Sequence, residues 1–197
     1  MERGRLFVSL LVIVLVVSFG GLISNLFYKL SITGAVTVQN VTSRVVIENY
    51  FSISASNNLS SGIDFGTIQQ LPTDDANGTG NYNWTDSNNR TEYSIAVSTD
   101  SNVNVDFCIK ANGNLNTSGG QEILLGNETW NDSITNNYTH PNLPGTSFTT
   151  SYVKSSTNVA PGNSNYYRFW LDIPAATQAG TYNNTVSFKG VQTGSSC

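Results

Sequence analysis

Charge is scarce in this sequence. Only 11% of its 197 residues are Asp, Glu, Lys or Arg, whereas 39% are hydrophobic. Beyond residue 30, six basic side chains remain of nine and twelve acidic ones of thirteen, and the basic ones form no cluster. Nucleic acids and anionic lipids are bound mainly through Lys and Arg, which neutralise phosphates. The composition therefore argues against nucleic acid as a partner, and amides and hydroxyls must supply the solubility.

Side chains that carry catalysis are equally few. The sequence has one histidine, His140, in a polar stretch where a turn-capping role in a loop is the favoured interpretation. It has no glycine-rich phosphate loop, no HExxH motif and no Cys/His cluster. Hydrolysis needs a base beside a nucleophile and a partner that orients both. The sequence thus predicts a protein that is not an enzyme, with no catalytic residue, no metal and no cofactor.

One segment leaves weak calcium binding open. Asp100–Asp106 places oxygen-bearing side chains at alternate positions, as a calcium loop requires at its positions 1, 3 and 5. Its sixth position is Val105 instead of Gly, and its twelfth is Ala111 instead of Glu. The segment also alternates as a strand does, which favours an exposed polar strand face. Asp74 and Asp75, ahead of Asn77 and Gly78, offer a similarly weak alternative.

A long apolar run occurs only near the N-terminus. Leu6–Phe27 follows Arg3 and Arg5 and contains no charge before Lys29. A helix of about 20 apolar residues spans a bilayer core, and its positive end stays inside. Residues 1–30 are therefore predicted to form a helix that is either a cleaved signal peptide or a retained membrane anchor. The remainder is predicted to be exported, to the cell surface or outside the cell.

The rest of the chain is predicted to hold a linker and one domain. Residues 31–43 form an extended linker or donor strand, and residues 44–197 form the extracellular domain. The apolar run is longer than the 7–15 residues of an ordinary signal peptide, and Thr33–Ala35 is the best cleavage site. Cleavage at Gly4 with retention of the helix, as in a type IV pilin, is an alternative that Arg5 fits poorly.

Asparagine, serine, threonine and glycine dominate this exported part. They create ten N-x-[ST] acceptor triplets, which matter only on translocated surface loops. The composition generates some of these triplets by chance, but their presence on an exported chain predicts glycosylation. The acceptors are Asn40, Asn58, Asn77, Asn83, Asn89, Asn116, Asn127, Asn131, Asn137 and Asn183.

The sequence has two cysteines, Cys108 and Cys197. An exported chain meets an oxidising environment, so one disulfide is the first interpretation. Alternation along a strand puts Cys108 on the face opposite Phe107 and Ile109. A tail that ends in Cys197 reaches it there without crossing the core. Two unrelated thiols, or a bond between molecules, remain alternatives.

Period-two alternation of apolar residues recurs beyond residue 30, with turn signals between the runs. This pattern predicts an all-β fold, an immunoglobulin-like antiparallel β-sandwich. Residues 71–91 and 111–146 are long, polar and rich in acceptor triplets, so we interpret them as loop excursions or small hairpins. The alternating runs lie near residues 45–53, 63–65, 93–97, 103–109, 148–152, 167–173 and 182–188.

One strand carries large side chains on both faces. Tyr166, Arg168 and Trp170 share the face opposite Tyr167 and Phe169. Exposed Tyr, Trp and Arg are enriched at interface hot spots. This face is therefore either an interface with a partner or part of a strand that is buried on both sides.

Three stretches resemble a known pattern. They are Gly62–Ile68 (GIDFGTI), Trp170–Pro174 (WLDIP) and Ala179–Lys189 (AGTYNNTVSFK). The pattern is similar to archaeal exported surface β-sandwich proteins and, more distantly, to TasA-like fibre-forming subunits. That resemblance implies subunits that polymerise by strand donation. Ala35–Val41 and Arg44–Ile53 suit such a donor because they are extended and rich in β-branched residues, and only Arg44 and Glu48 discourage pairing. The alternative is an ordinary first strand paired within its own domain, which residues 44–53 favour more than residues 35–41 do.

Together these observations predict a non-enzymatic structural protein of the cell surface. It would be a glycosylated subunit of a filament, a pilus-like thread or a surface coat. Its partners would be further copies or other surface proteins, and the N-terminal helix would contact the membrane. A membrane-tethered adhesin or ligand-binding module is the alternative, together with a type IV pilin-like subunit that retains its helix.

Overall fold

The computed structural model describes residues 42–137 and 143–197 of the chain. It divides the chain into two compact units, Met1–Val46 and Ile47–Cys197. The predicted N-terminal helix, most of the 31–43 linker, Asn40 and His140 lie outside the described residues. Within the described ranges, no helix has the length and apolar character needed to cross a bilayer.

In its described part, the second unit consists of short strands, one short α-helix and one 3-10 turn. The helix α1 covers Asn57–Ser61. Ser56 caps its N-terminus, because the Ser56 Oγ accepts a hydrogen bond from the Leu59 amide at 3.3 Å. A 3-10 turn covers Leu125–Asn127. The strands are β1 (Ile53–Ala55), β2 (Thr73–Asn77), β3 (Ser94–Val97), β4 (Val105–Ala111), β5 (Leu115–Asn116), β6 (Glu122–Ile123), β7 (Glu128–Ser133), β8 (Thr146–Ser147), β9 (Val153–Val159), β10 (Ser164–Ile173) and β11 (Val186–Gln192).

These strands form antiparallel sheets. The large sheet has the order β1-β3-β10-β7-β8, and β2 pairs with the far end of β10. A second sheet has the order β11-β4-β9, and β5 pairs with β6 in a small hairpin. Both larger sheets contribute to one core, as alternation predicts for two facing sheets. The buried core residues are Leu59, Tyr93, Ile95, Val97, Val105, Phe107, Ile109, Ala111, Trp130, Phe148, Val159, Tyr167 and Phe169.

The predicted all-β sandwich is therefore confirmed, but several predicted strands differ. The alternating run at 45–53 is a strand only from Ile53, and the runs at 63–65 and 148–152 form no strand. The polar segment 111–146 is also more than a loop excursion. It contains β7, which lies between β10 and β8 inside the large sheet. The prediction was wrong there, because Glu128 and Asp132 face inward on β7 and break the apolar alternation.

A side-chain amide completes the pairing of β10. β3 pairs with the start of β10 and β2 with its end, which leaves a gap at Phe169. Asn81 fills this gap: its Oδ1 accepts from the Phe169 amide at 2.7 Å, and its Nδ2 donates at 2.6 Å to the Phe169 carbonyl, which also accepts from the Gly78 amide at 2.9 Å. Asn81 is fully buried. It satisfies the backbone as a neighbouring strand would, because a buried unpaired N–H or C=O is costly.

The C-terminal tail closes over the outer face of the second sheet. The sulfurs of Cys108 and Cys197 lie 2.08 Å apart, so the predicted pair is at disulfide distance. Asp106, on the same face, is buried and accepts hydrogen bonds from Thr193 Oγ1 at 3.0 Å and the Gly194 amide at 3.1 Å. A third bond comes from Lys154 Nζ at 2.7 Å. The disulfide pair and the hydrogen bonds to Asp106 thus both hold the tail.

The position of Asp106 bears on the candidate calcium loop at Asp100–Asp106. β4 begins only at Val105, so residues 100–104 form a loop, and the prediction of an exposed strand face was wrong for the buried Asp106. Burial alone raises the pKa of Asp106, but hydrogen bonds from Lys154 and from backbone amides outweigh it and lower the pKa to about 2. Its carboxylate oxygens are already engaged by the protein. In the described ranges, no three His, Cys, Asp or Glu residues gather as a metal site.

Candidate functional site

An exposed apolar segment precedes the domain. The side chains of Val45, Val46 and Ile47 are 81%, 67% and 78% exposed. The backbone of this 45–47 segment belongs to no strand or helix. Consecutive exposed β-branched residues cost solvation free energy and form strands readily. Such a segment is typical of a surface that another chain covers.

The residues that follow are tied to the domain. The side-chain amide of Asn102 forms two hydrogen bonds with the backbone of residues 48–50. Its Oδ1 accepts from the Tyr50 amide at 2.7 Å, and its Nδ2 donates to the Glu48 carbonyl at 2.9 Å. Asn49 Nδ2 donates to Gln192 Oε1 at 2.9 Å, at the end of β11. The chain is therefore anchored from Glu48 onward, directly after the 45–47 segment.

The second sheet has an open edge at β11. Among the described strands, β11 pairs only with β4, in regular register over its whole length. We call its other side the open edge. Two core-facing side chains of β11, Val186 and Phe188, are only partly buried, as are Ile63 and Phe65, which pack against the same core. The core is thus incompletely covered at β11.

The opposite edge of this sheet differs. β9 also pairs only with β4 among the described strands, but its register shifts twice between Val105 and Cys108. Asn158 in β9 has a left-handed φ of 58°. Bulges of this kind twist an edge and discourage pairing with another chain. Of the two long edges, β11 is the one suited to accept a strand.

The predicted interface face is buried instead. Arg168 and Trp170 are 1% and 2% exposed, and Tyr166 is half-buried. The interface interpretation was therefore wrong for Arg168 and Trp170, because both are buried in the single chain, and the polar segment 78–91 covers Arg168. Of the two alternatives from the sequence, the strand that is buried on both sides is the one observed.

Arg168 fixes the covering segment. Its Nε donates to the Asn81 carbonyl at 3.1 Å, and its Nη2 donates to the Asn89 carbonyl at 2.7 Å. Its guanidinium carbon lies 4.4 Å from the centre of the Tyr82 ring. The segment also approaches the core closely at Gly80, where a Cβ atom would come within 2.7 Å of the Tyr93 ring. The buried guanidinium of Arg168 thus binds the covering segment through two of its backbone carbonyls, those of Asn81 and Asn89.

Replacing Arg168 with Met is expected to lower the free energy of unfolding by about 2–4 kcal/mol, because the buried Asn81 carbonyl and the partly buried Asn89 carbonyl lose a charged donor. Arg168→Lys is expected to rescue little, since one ammonium cannot reproduce a planar fork. Urea denaturation measures the change, and limited proteolysis at 82–90 reports release of the segment. Equal stability of Arg168→Met and wild type, with no new cleavage, would contradict this role.

The acceptor asparagines all reach the surface where they are described. Five are exposed, namely Asn58, Asn77, Asn89, Asn116 and Asn183. Four are half-buried, namely Asn83, Asn127, Asn131 and Asn137. Asn116 and Asn183 exchange backbone hydrogen bonds at 2.9 and 3.1 Å, so these two acceptors lie side by side. No described acceptor would need the core to open before a sugar is attached.

An acid–amide pair lies inside the sandwich. Asn165 Nδ2 donates to Asp132 Oδ2 at 3.1 Å, and the buried Oδ1 of Asn165 has no hydrogen-bond partner. Burial raises the pKa of Asp132 to about 6. Burial also raises the pKa of Glu128, which faces inward on the same strand. Both acids therefore hold their protons more tightly in the folded than in the unfolded chain.

Asp132→Asn is expected to stabilise the domain by about 2–3 kcal/mol at pH 7 and by little below pH 4. Between about pH 4 and pH 6 the unfolded chain releases a proton that folded Asp132 keeps, so wild-type stability falls as pH rises through this window. The amide avoids this loss. Urea denaturation from pH 3 to 8 measures it, with the exposed Asp74→Asn as control. A destabilised Asp132→Asn at pH 7 would contradict the expectation.

Comparison with known proteins found no match. No family model, no curated protein and no solved structure matches this chain.

Proposed function

We propose that this protein is a non-enzymatic structural protein of the cell surface, a glycosylated subunit of a filament, pilus-like thread or surface coat. Export by the N-terminal apolar run and an immunoglobulin-like topology of the sandwich are parts of the same proposal. The observation that carries it is the 45–47 segment, three consecutive exposed apolar residues directly before the first anchored residue of the domain.

Assembly would proceed by strand addition. The 45–47 segment and residues before it would pair with the open edge of β11 in the next copy. Main-chain hydrogen bonds would supply affinity, and the half-buried Val186 and Phe188 would receive alternate side chains. Each subunit has one donor and one acceptor, so the contact is heterologous and propagates as a thread.

Deletion of the gene followed by negative-stain imaging of the cell surface tests this function. Loss of threads or of a coat, restored by the wild-type gene, is expected. A labelled copy should then decorate the threads along their length. An unchanged surface that has lost attachment to a substratum would instead favour the membrane-tethered adhesin.

A further inference from the structure

A tryptophan is held outward at the surface of the large sheet. Trp84 is 77% exposed, whereas Trp130 and Trp170 are 4% and 2% exposed. Its ring centre lies 5.0 Å from that of Tyr82, and Tyr82 in turn packs on the guanidinium of Arg168. We call these three residues the Trp84 stack. It runs from a buried cation to solvent, so the outermost ring is supported from below.

The loop around the stack is ordered by its own bonds. The Asn83 amide donates to the Arg90 carbonyl at 2.8 Å, and the Asp86 amide donates to the Asn83 carbonyl at 2.9 Å. Arg90 also forms an ion pair with Asp86. Trp84 is therefore presented by a fixed turn, and its exposed ring costs solvation free energy that a covering group would recover.

The acceptor Asn83 sits between the two stacked rings in sequence. Its Oδ1 accepts hydrogen bonds from the Thr85 amide at 3.1 Å and from Thr85 Oγ1 at 2.6 Å. This Asx turn fixes the side chain. Within the described ranges no atom accepts a hydrogen bond from Asn83 Nδ2, which is the nitrogen that carries an N-linked sugar.

We propose that Asn83 carries an N-linked glycan whose first sugar packs its C–H face on the Trp84 stack. A sugar ring has a flat C–H face for the indole and hydroxyls for the amides and Thr85 nearby, so it suits this surface better than a purely apolar partner does. The proposal uses the export that the proposed function assumes, but it does not depend on assembly.

The attachment is a substitution at the anomeric carbon of the sugar. A membrane-bound, lipid-phosphate-linked oligosaccharide is the donor. The new bond joins Asn83 Nδ2 to the anomeric carbon, and the bond from that carbon to the phosphate oxygen breaks. The lipid phosphate leaves with the electron pair, and Nδ2 gives up one proton. No oxidant or reductant takes part.

Chemical modification of tryptophan tests the proposal on the full chain, purified in detergent from a host that glycosylates exported proteins. N-bromosuccinimide oxidises accessible indoles, and glycopeptide mass spectrometry reports occupancy of Asn83. We expect a modified Asn83 and no rapidly oxidised tryptophan in the wild type. Asn83→Gln and Thr85→Ala both remove the acceptor triplet and should expose one tryptophan per molecule. Two variants guard against a folding defect in either one.

Two matched controls locate the effect. Asn116→Gln removes a different acceptor and should leave Trp84 protected, whereas Thr85→Ser keeps the triplet and should behave as the wild type. An unmodified Asn83 in the wild type overturns the proposal. So does a modified Asn83 with an indole as accessible as in Asn83→Gln. Assembly measured on the same samples separates this result from the proposed function, since loss of the glycan should leave strand addition intact.

Discussion

Breaking the Cys108–Cys197 bond is expected to lower the free energy of unfolding by about 4–5 kcal/mol. The two cysteines are 89 residues apart in sequence. In the chain-entropy model, a bond that closes a loop of this length removes much conformational entropy from the unfolded chain and so stabilises the folded one. The folded state should persist, because Asp106 still binds Thr193 and Gly194. Urea denaturation with and without a reductant measures the difference.

The control is a double variant, Cys108→Ser with Cys197→Ser. Its stability should match that of the reduced wild type and should not respond to the reductant. Mass spectrometry of a non-reduced digest should find the two cysteine peptides joined. Free thiols at both positions, or disulfide-linked dimers alone, would contradict an intramolecular bond.

The sequence allowed this pairing to be predicted because strand alternation is a local property. Phe107 and Ile109 identify the inward face of β4, which places Cys108 on the outer face. The same reasoning predicted the inward faces of β3, β10 and β11. Strand positions fixed by apolar side chains at every second residue are therefore readable without a structure.

The prediction from alternation failed where polar residues occupy core positions. β7 presents Glu128, Trp130 and Asp132 to the core, so only one of its three inward side chains is apolar. Asn81 looks like an ordinary loop residue, yet it occupies a gap between two strands. Each depends on partners distant in sequence. Alternation contains no information about such partners.

The candidate assembly site, made of the 45–47 segment and the open edge of β11, was likewise predictable only in part. The β-branched region 35–53 was recognisable as a donor candidate from its composition. Which part of it is exposed depends on Asn102, whose amide fixes the chain from Glu48 onward. The open edge was not predictable either, because it requires knowing that β9 is bulged and β11 is regular.

Val46→Asp together with Ile47→Asp is expected to abolish polymerisation while leaving the domain as stable as before. Both side chains are exposed in the single chain, so charge costs nothing there. In a strand added to a neighbour, the change removes apolar burial and places acids against a sheet. Adjacent residues of a strand point to opposite faces, so one of the two side chains would lose its burial against the core, which costs about 2 kcal/mol, or roughly 30-fold in affinity. The other would place an acid on the outer face of the sheet.

The measurement compares ectodomains that begin at residue 36, by sedimentation and negative-stain imaging, with thermal unfolding run in parallel. Leu124→Asp is the matched control, because Leu124 is 58% exposed and lies outside the donor and the open edge. It should polymerise as the wild type does. A peptide of residues 42–50 should cap open edges and slow assembly of the wild type. If the double variant polymerises undiminished, the 45–47 segment is not the donor; if its unfolding temperature falls instead, the segment packs within its own chain.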